Sequence, residues 1–191
     1  KRLIETGLLP ERIKLGKKPK VLLLVHLYGM PAQMDKIMAI CDEFDIPIIE
    51  DAAEALGSKW DGKPLGSLGA IGVYSFNGNK IVTAGGGGLI VTNNEKLAQH
   101  AKYLTTTAKK PHPYEFFHDE LGYNYRMPNL NAALLLAQLE RLNDYRDAKA
   151  LLYDMYNKEL PRLGLNLVPV PDSTTKWNYW LMAVQFDTKL E

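Results

Sequence analysis

A single cysteine, Cys41, stands among 191 residues, so an intrachain disulfide is excluded and no thiolate set exists for a metal. Long hydrophobic runs are missing too. The longest purely aliphatic stretch, Val21 to Val25, is far shorter than the roughly 20 residues a membrane span needs, and it reads as a buried strand. Charge of one sign is also lacking. Lys and Arg number 23 against 22 Asp and Glu, a balance that offers nothing to a nucleic acid or an anionic membrane surface. No signal-peptide pattern, internal repeat or low-complexity tract is visible beyond one glycine run. His100, His112 and His118 have no metal-ligand spacing with carboxylates or Cys41, and no metal is expected. These absences fit a reducing, cytoplasmic setting.

What remains is an ordinary globular composition, 46% hydrophobic and 24% charged, with enough chain for one core or for a domain and part of another. The chain opens on Lys1 and stops at Thr188-Lys189-Leu190-Glu191 after a strand-like run, so a piece of a longer polypeptide is expected.

Lys20 to His26 reads as a fully buried strand and Pro31 to Phe44 as a helix. Met34, Ile37, Met38 and Cys41 share one apolar face at the helical spacing. Ile46 to Ile49 is a second apolar run, ending in Glu50-Asp51. Strand, helix and strand with short links predict a right-handed parallel crossover unit, which places Asp51 at a strand's carboxyl end, where open α/β sheets hold ligands. Two more strands are predicted over Ile71–Phe76 and Leu89–Thr92, and between them lies a glycine-rich loop holding Lys80. Asn94 caps a helix running to about Leu104. Residues 105–125 lack periodicity and form a long loop of the kind that often carries function. From Asn129 a helix is expected to place Leu130, Ala133, Leu134, Ala137, Leu139 and Leu142 on one side, and a second helical stretch ends at Pro161. Strands are then predicted over Leu165–Val168 and Tyr179–Phe186, and a domain change near residues 145–160.

The glycines match no phosphate-binding signature. Gly66, Gly69 and Gly72 precede a strand where a dinucleotide fingerprint must follow one, and Gly78-Asn79-Lys80-Ile81 lacks the spacing and hydroxyl of a P-loop. The quartet Gly85 to Gly88 is either a tight turn close to a bulky ligand or a flexible surface loop. Lys80 alone is a solvated loop lysine. Placed after an apolar strand and a small polar turn, it also has the chemistry to form a Schiff base with pyridoxal phosphate. Such a cofactor needs an acid opposite its pyridine nitrogen, and Asp51 is of the right type. A turn residue or helix cap is the plainer reading of Asp51. His26 reads equally as a satisfied core histidine or as a site residue.

Four segments taken together resemble one family. They are Ile49-Glu50-Asp51-Ala52-Ala53-Glu54-Ala55-Leu56-Gly57-Ser58, Tyr74-Ser75-Phe76 with Lys80, Thr83-Ala84 with the glycine quartet, and Gly122-Tyr123-Asn124-Tyr125-Arg126-Met127. His26-x-Tyr28-Gly29, Ala132-Ala133 and Gln138-Leu139 fit the same pattern, which covers about residues 20 to 145. The resemblance is to the DegT/DnrJ/StrS-type sugar aminotransferases, pyridoxal-phosphate enzymes of the aspartate-aminotransferase fold (fold type I).

The resemblance implies an α/β fold: the later half of the large cofactor-binding domain over residues 1–150, then the incomplete start of a small C-terminal domain over 151–191. It implies that Lys80 binds the cofactor aldehyde and shuttles the proton, and that Asp51 pairs with the pyridinium nitrogen. Ser75 would hydrogen-bond the phosphate, and Asn124 would reach the phosphate of a neighbouring subunit across a homodimer. Arg126 would contact substrate. Glu54 stands where many relatives carry glutamine or histidine beside the cofactor's phenolic oxygen. A carboxylate there would be repelled, so Glu54 is expected to be protonated, bridged by water or turned away.

The segment from Thr105 to Asn131 resembles the branch that makes 4-amino-6-deoxy sugars for bacterial surface glycans. That implies a UDP-linked 4-keto-6-deoxy-N-acetylhexosamine as acceptor and L-glutamate as amino donor. The alternatives are a sugar dehydratase on the same fold, whose members carry histidine in place of Lys80, and an inactive truncated chain with a structural role. The family's early glycine–threonine segment and ring-stacking aromatic have no counterpart in Lys1 to Pro19, so the chain by itself is expected to bind cofactor poorly.

Overall fold

A computed structural model describes residues 18–170 and 176–186. Expectations that fall on residues 1–17 and on the last five residues lie outside the described residues. The order begins with strand β1 (Leu22–Val25), a 3-10 turn (Leu27–Gly29), helix α1 (Met34–Glu43) and strand β2 (Ile48–Asp51). A small antiparallel pair follows, β3 (Lys59–Trp60) and β4 (Lys63–Pro64), then β5 (Ile71–Ser75) and β6 (Gly88–Val91). Helices α2 (Glu95–Thr105), α3 (Asn129–Leu139) and α4 (Leu142–Glu159) come next, with β7 (Asn166–Leu167) and β8 (Val184–Gln185) last.

The main sheet runs β1-β2-β5-β6. β1, β2 and β5 are parallel, as the crossover pattern requires, whereas β6 returns antiparallel to β5. The register sets the two faces, because side chains alternate along each strand. Leu23 lies beside Ile49, Val25 beside Asp51, Asp51 beside Val73, and Val73 beside Ile90. Asp51 and, two residues beyond Val73, Ser75 therefore project from one face. Glu50, Gly72 and Tyr74 project from the other.

The core lies on the Tyr74 side. Ala52, Ala55, Leu65, Tyr74, Phe76, Val82, Ala84 and Leu135 form one buried cluster, in which each fully buried aliphatic side chain contributes about 1.5–3 kcal/mol. The opposite face is uncovered: Leu23 is 63% exposed and Val25 49%. That corrects the reading of β1 as buried on both sides, since an aliphatic run shows that a strand can be covered and not that it is.

Met34 and Cys41 are the buried residues of α1, on the face its spacing predicts. Asn94 caps α2 as expected, its side-chain oxygen accepting from the backbone N–H groups of Lys96 and Leu97 at 3.0 and 3.2 Å. The expected face of α3 is not the buried one. Leu130 is 85% exposed, and Leu135 is the residue that enters the core. Helix α3 is apolar on nearly every side, so periodicity could not choose between its faces. Residues Lys176–Trp180, partly assigned to a strand by their alternation, instead lie against the first half of the chain. Val184–Gln185 pairs with Asn166–Leu167, and Lys176 bridges Lys59.

Candidate active site

Strand β2 ends in two carboxylates that the pleat sends to opposite faces, and their surroundings differ completely. Glu50 is fully buried. Its Oε1 accepts from the N–H groups of Leu68 and Gly69 at 2.6 and 2.5 Å, and its Oε2 from Gly66 N–H at 2.7 Å. The fourth partner is His26, whose Nε2 lies 2.9 Å from Oε2. Because His26 Nδ1 accepts from Ala32 N–H at 3.3 Å, Nε2 carries the hydrogen and donates to Glu50. Burial alone would push the Glu50 carboxyl up. The His26 bond and the three backbone donors outweigh it and hold the group below the ordinary glutamate range. The glycine series that fails as a nucleotide fingerprint thus has a structural purpose, since Gly66, at φ +89°, and Gly69 turn their amides onto Glu50. His26 is a satisfied core histidine. Glu50, passed over in the sequence, is the pin that fixes the end of β2.

Asp51 is half-buried on the other face. Its Oδ1 accepts from Ala53 N–H at 3.1 Å, the local i to i+2 bond of a turn aspartate, and among the described residues Oδ2 has no partner. Asp51 is thus a turn residue, as the plainer reading had it, through one oxygen only.

Three residues beyond Asp51, Glu54 meets Lys80. Lys80 Nζ lies 3.8 Å from Glu54 Oε1, with the lysine side chain 13% exposed and the glutamate 24%. Glu54 Oε2 accepts from Tyr28 N–H at 2.7 Å. Tyr28 adopts φ 57°, a conformation that costs a bulky residue energy and that here aims its amide at the carboxylate. Glu54 faces a cation and an amide donor.

The loop bearing Lys80 is a tight turn and not a slack surface loop. Lys80 N–H donates to Asn77 O at 3.0 Å, Phe76 N–H to Gly87 O at 2.9 Å, and Ala84 N–H to Phe76 O at 3.0 Å. Gly87, at φ +89°, supplies a conformation that side chains resist. Helix α3 ties the loop down from outside: Gln138 Oε1 accepts from Thr83 N–H at 2.9 Å, and Asn131 donates to Ala84 O at 2.5 Å. Ser75, at the end of β5, is half-buried and accepts from Asn77 N–H at 3.3 Å.

Asn124 and Arg126 lie elsewhere, exposed and together. Arg126 donates to Asn124 Oδ1 at 3.4 Å and to Thr106 O at 3.3 Å, and Asn124 bridges Thr106 across the long loop. Among the described residues neither touches Asp51, Ser75 or Lys80. Arg126 instead borders a cleft of about 1090 Å³ between β6, α2 and the start of α3.

Asp51 thus ends β2, Ser75 ends β5, and Lys80 stands in the tight loop after β5, against Glu54. The sequence profile of the DegT/DnrJ/EryC1/StrS aminotransferase family matches residues 8–191. The chain belongs to this family. Its aminotransferases depend on pyridoxal phosphate, and EpsN of Bacillus subtilis (strain 168), assigned by name to the pyridoxal phosphate-dependent aminotransferases, is 38% identical over 95% of this chain and 47% of its own. GDP-perosamine synthase of Caulobacter vibrioides is 39% identical over 88% of this chain and 45% of its own. Among solved structures, the aminotransferase TlmJ from Streptoalloteichus hindustanus superposes with a TM-score of 0.81 at 28% identity, over 93% of this chain and 49% of that one. The fold is thus that of the fold-type-I aminotransferases. The chain spans about half the length of the relatives it matches.

Proposed function

We propose that the protein transfers an amino group from L-glutamate to the keto carbon of a nucleotide-linked sugar, using pyridoxal phosphate held by Lys80, Asp51, Ser75 and Glu54. The observation that supports this reading is the meeting of Lys80 with Glu54 at 3.8 Å, which brings a loop lysine against the segment that follows β2. When bound, pyridoxal phosphate supplies an aldehyde that captures amines and a protonated ring that withdraws electrons from the adjoining carbon.

The chain's own groups do the rest. Asp51 Oδ2 holds the proton on the ring nitrogen, and Ser75 Oγ donates to the phosphate. Lys80 Nζ holds the aldehyde end, then carries a proton from the α-carbon of glutamate and delivers one to the sugar carbon being aminated. Glu54 receives Nζ whenever the lysine is free, so the amine stays within reach between turnovers. Asn124 and Arg126, which among the described residues meet no other site residue, serve the phosphate and substrate of a partner subunit in a homodimer. Residues 1–150 belong to the large domain and 151–191 begin the small one.

The acceptor we propose is a UDP-linked 4-keto-6-deoxy-N-acetylhexosamine for a surface glycan, on the resemblance of residues 105–131 to that branch. The name of the Caulobacter relative supports a nucleotide-linked sugar in general. The proposed setting is the cytoplasm; among the described residues no helix is long and apolar enough to cross a membrane.

The test is release of 2-oxoglutarate from glutamate beyond one equivalent per site, which should require keto-sugar. Release of water from the sugar without consumption of glutamate would assign a dehydratase instead. Within this reading, Asp51→Asn keeps the acceptor for Ala53 N–H but not the charge that holds the ring proton. Amino transfer should fall about 10²–10³-fold, with stability changed by less than about 0.5 kcal/mol, as steady-state rates and urea unfolding would show.

A further inference from the structure

The segment Lys176–Trp180 is fastened to both flanks of the Lys80 site, far from it in sequence. Trp177 Nε1 donates to Tyr28 O at 2.9 Å, next to the amide that holds Glu54. Asn178 is fully buried. Its side-chain amide donates to Glu54 O at 2.7 Å and Leu56 O at 3.0 Å, while its backbone N–H donates to Ser58 Oγ at 2.9 Å. Asn178 Oδ1 then accepts from Trp180 N–H at 3.0 Å, which turns the chain so that the Trp180 indole faces the lysine loop. Trp180 Nε1 donates to Asn79 O at 2.7 Å, and the ring lies over Lys80 with Nζ 4.4 Å from its centroid.

We infer that Trp180 is a positioning residue for Lys80: its indole face and the Glu54 carboxylate bracket the amine, shielding it and aiming it into the site. The inference rests on the reading of Lys80 as the reactive lysine. Two features of the indole act separately. The π face attracts the ammonium group and covers it, while the N–H fixes Asn79, the residue just before Lys80. The strap thereby makes the reactive amine of one part of the chain depend on a residue about a hundred positions later.

The experiment is competitive labelling of lysines with isotopic acetic anhydride in the intact protein free of cofactor, followed by peptide mass analysis, with all other lysines as internal controls. In the wild type Lys80 should be among the slowest to react. Trp180→Leu should speed Lys80 acetylation about tenfold and leave Lys36 and Lys96, on α1 and α2, unchanged, whereas Trp180→Phe, which keeps a ring over the amine, should stay within about threefold of wild type. A folded Trp180→Leu protein with Lys80 acetylated at the wild-type rate overturns the inference. Should that variant not fold, ¹³C-methylation of wild-type Lys80 decides, because methyl carbons and protons under an indole face are shifted upfield in the NMR spectrum; unshifted Lys80 methyl signals overturn it equally. The Lys80→Ala enzyme separates the two levels. If it has lost amino transfer while Trp180→Leu leaves labelling unchanged, the bracket is wrong and the reading of Lys80 stands. If it retains amino transfer, both fall.

Discussion

Lys80→Ala should reduce amino transfer by about 10³-fold or more while leaving the protein folded. The substitution removes both the amine that takes the cofactor and the base that moves the proton, and no other lysine is described within reach of Glu54. The turn should survive it. The bond from residue 80 N–H to Asn77 O involves only backbone, and α3 anchors the following residues through Gln138 and Asn131. What is lost structurally is a long ion pair and a ring contact at a partly exposed position, together worth about 1 kcal/mol. Lys80→Arg sharpens the point. Arginine keeps the charge for Glu54 and for the Trp180 ring but cannot condense with an aldehyde, so it should be as inactive as alanine. Rate measurements on both variants, beside thermal unfolding, check this; an arginine variant with substantial activity would reduce Lys80 to an electrostatic role.

Glu50→Gln should be the most destabilising conservative change in the neighbourhood, costing on the order of 3–5 kcal/mol. Four donors converge on the two oxygens of Glu50. Glutamine offers one oxygen, so two donors must face an NH₂ group at a fully buried position. The pH dependence follows from the direction of the shift. A carboxyl held below the ordinary glutamate range in the folded chain stabilises it fully above that range, and the contribution disappears as pH falls through the lowered value. The gap between wild type and Glu50→Gln, read as the difference in urea midpoint, should therefore be widest near neutrality and narrow in acid. A gap independent of pH would mean that Glu50 contributes shape and not charge.

Much of the framework was legible before any coordinates. β1, α1, β2, β5, β6 and α2 fall within a few residues of the runs that predict them, because each is a local pattern of apolar spacing ended by a cap or a turn. The carboxylate at the end of β2 and the lysine after β5 were legible for the same reason. Other features were not, because they depend on contacts distant in the chain. The antiparallel return of β6 is a pairing choice that no strand pattern encodes. Glu50 looked like one more polar residue at a strand end, since the amides that enclose it come from Gly66, Leu68 and Gly69 and not from its neighbours. The buried face of α3 was misread because leucines surround that helix. Trp180 looked like a strand residue in a second domain, and only the hydrogen bonds of Asn178 reveal why it turns back towards Lys80.

The central claim is that one lysine of this chain takes the cofactor. Borohydride reduction of the intact protein loaded with pyridoxal phosphate, followed by peptide mapping, tests it most directly. The account predicts a single pyridoxyl group, on the peptide containing Lys80. A reduced adduct on a different lysine, or none on a protein that has bound the cofactor, would contradict it.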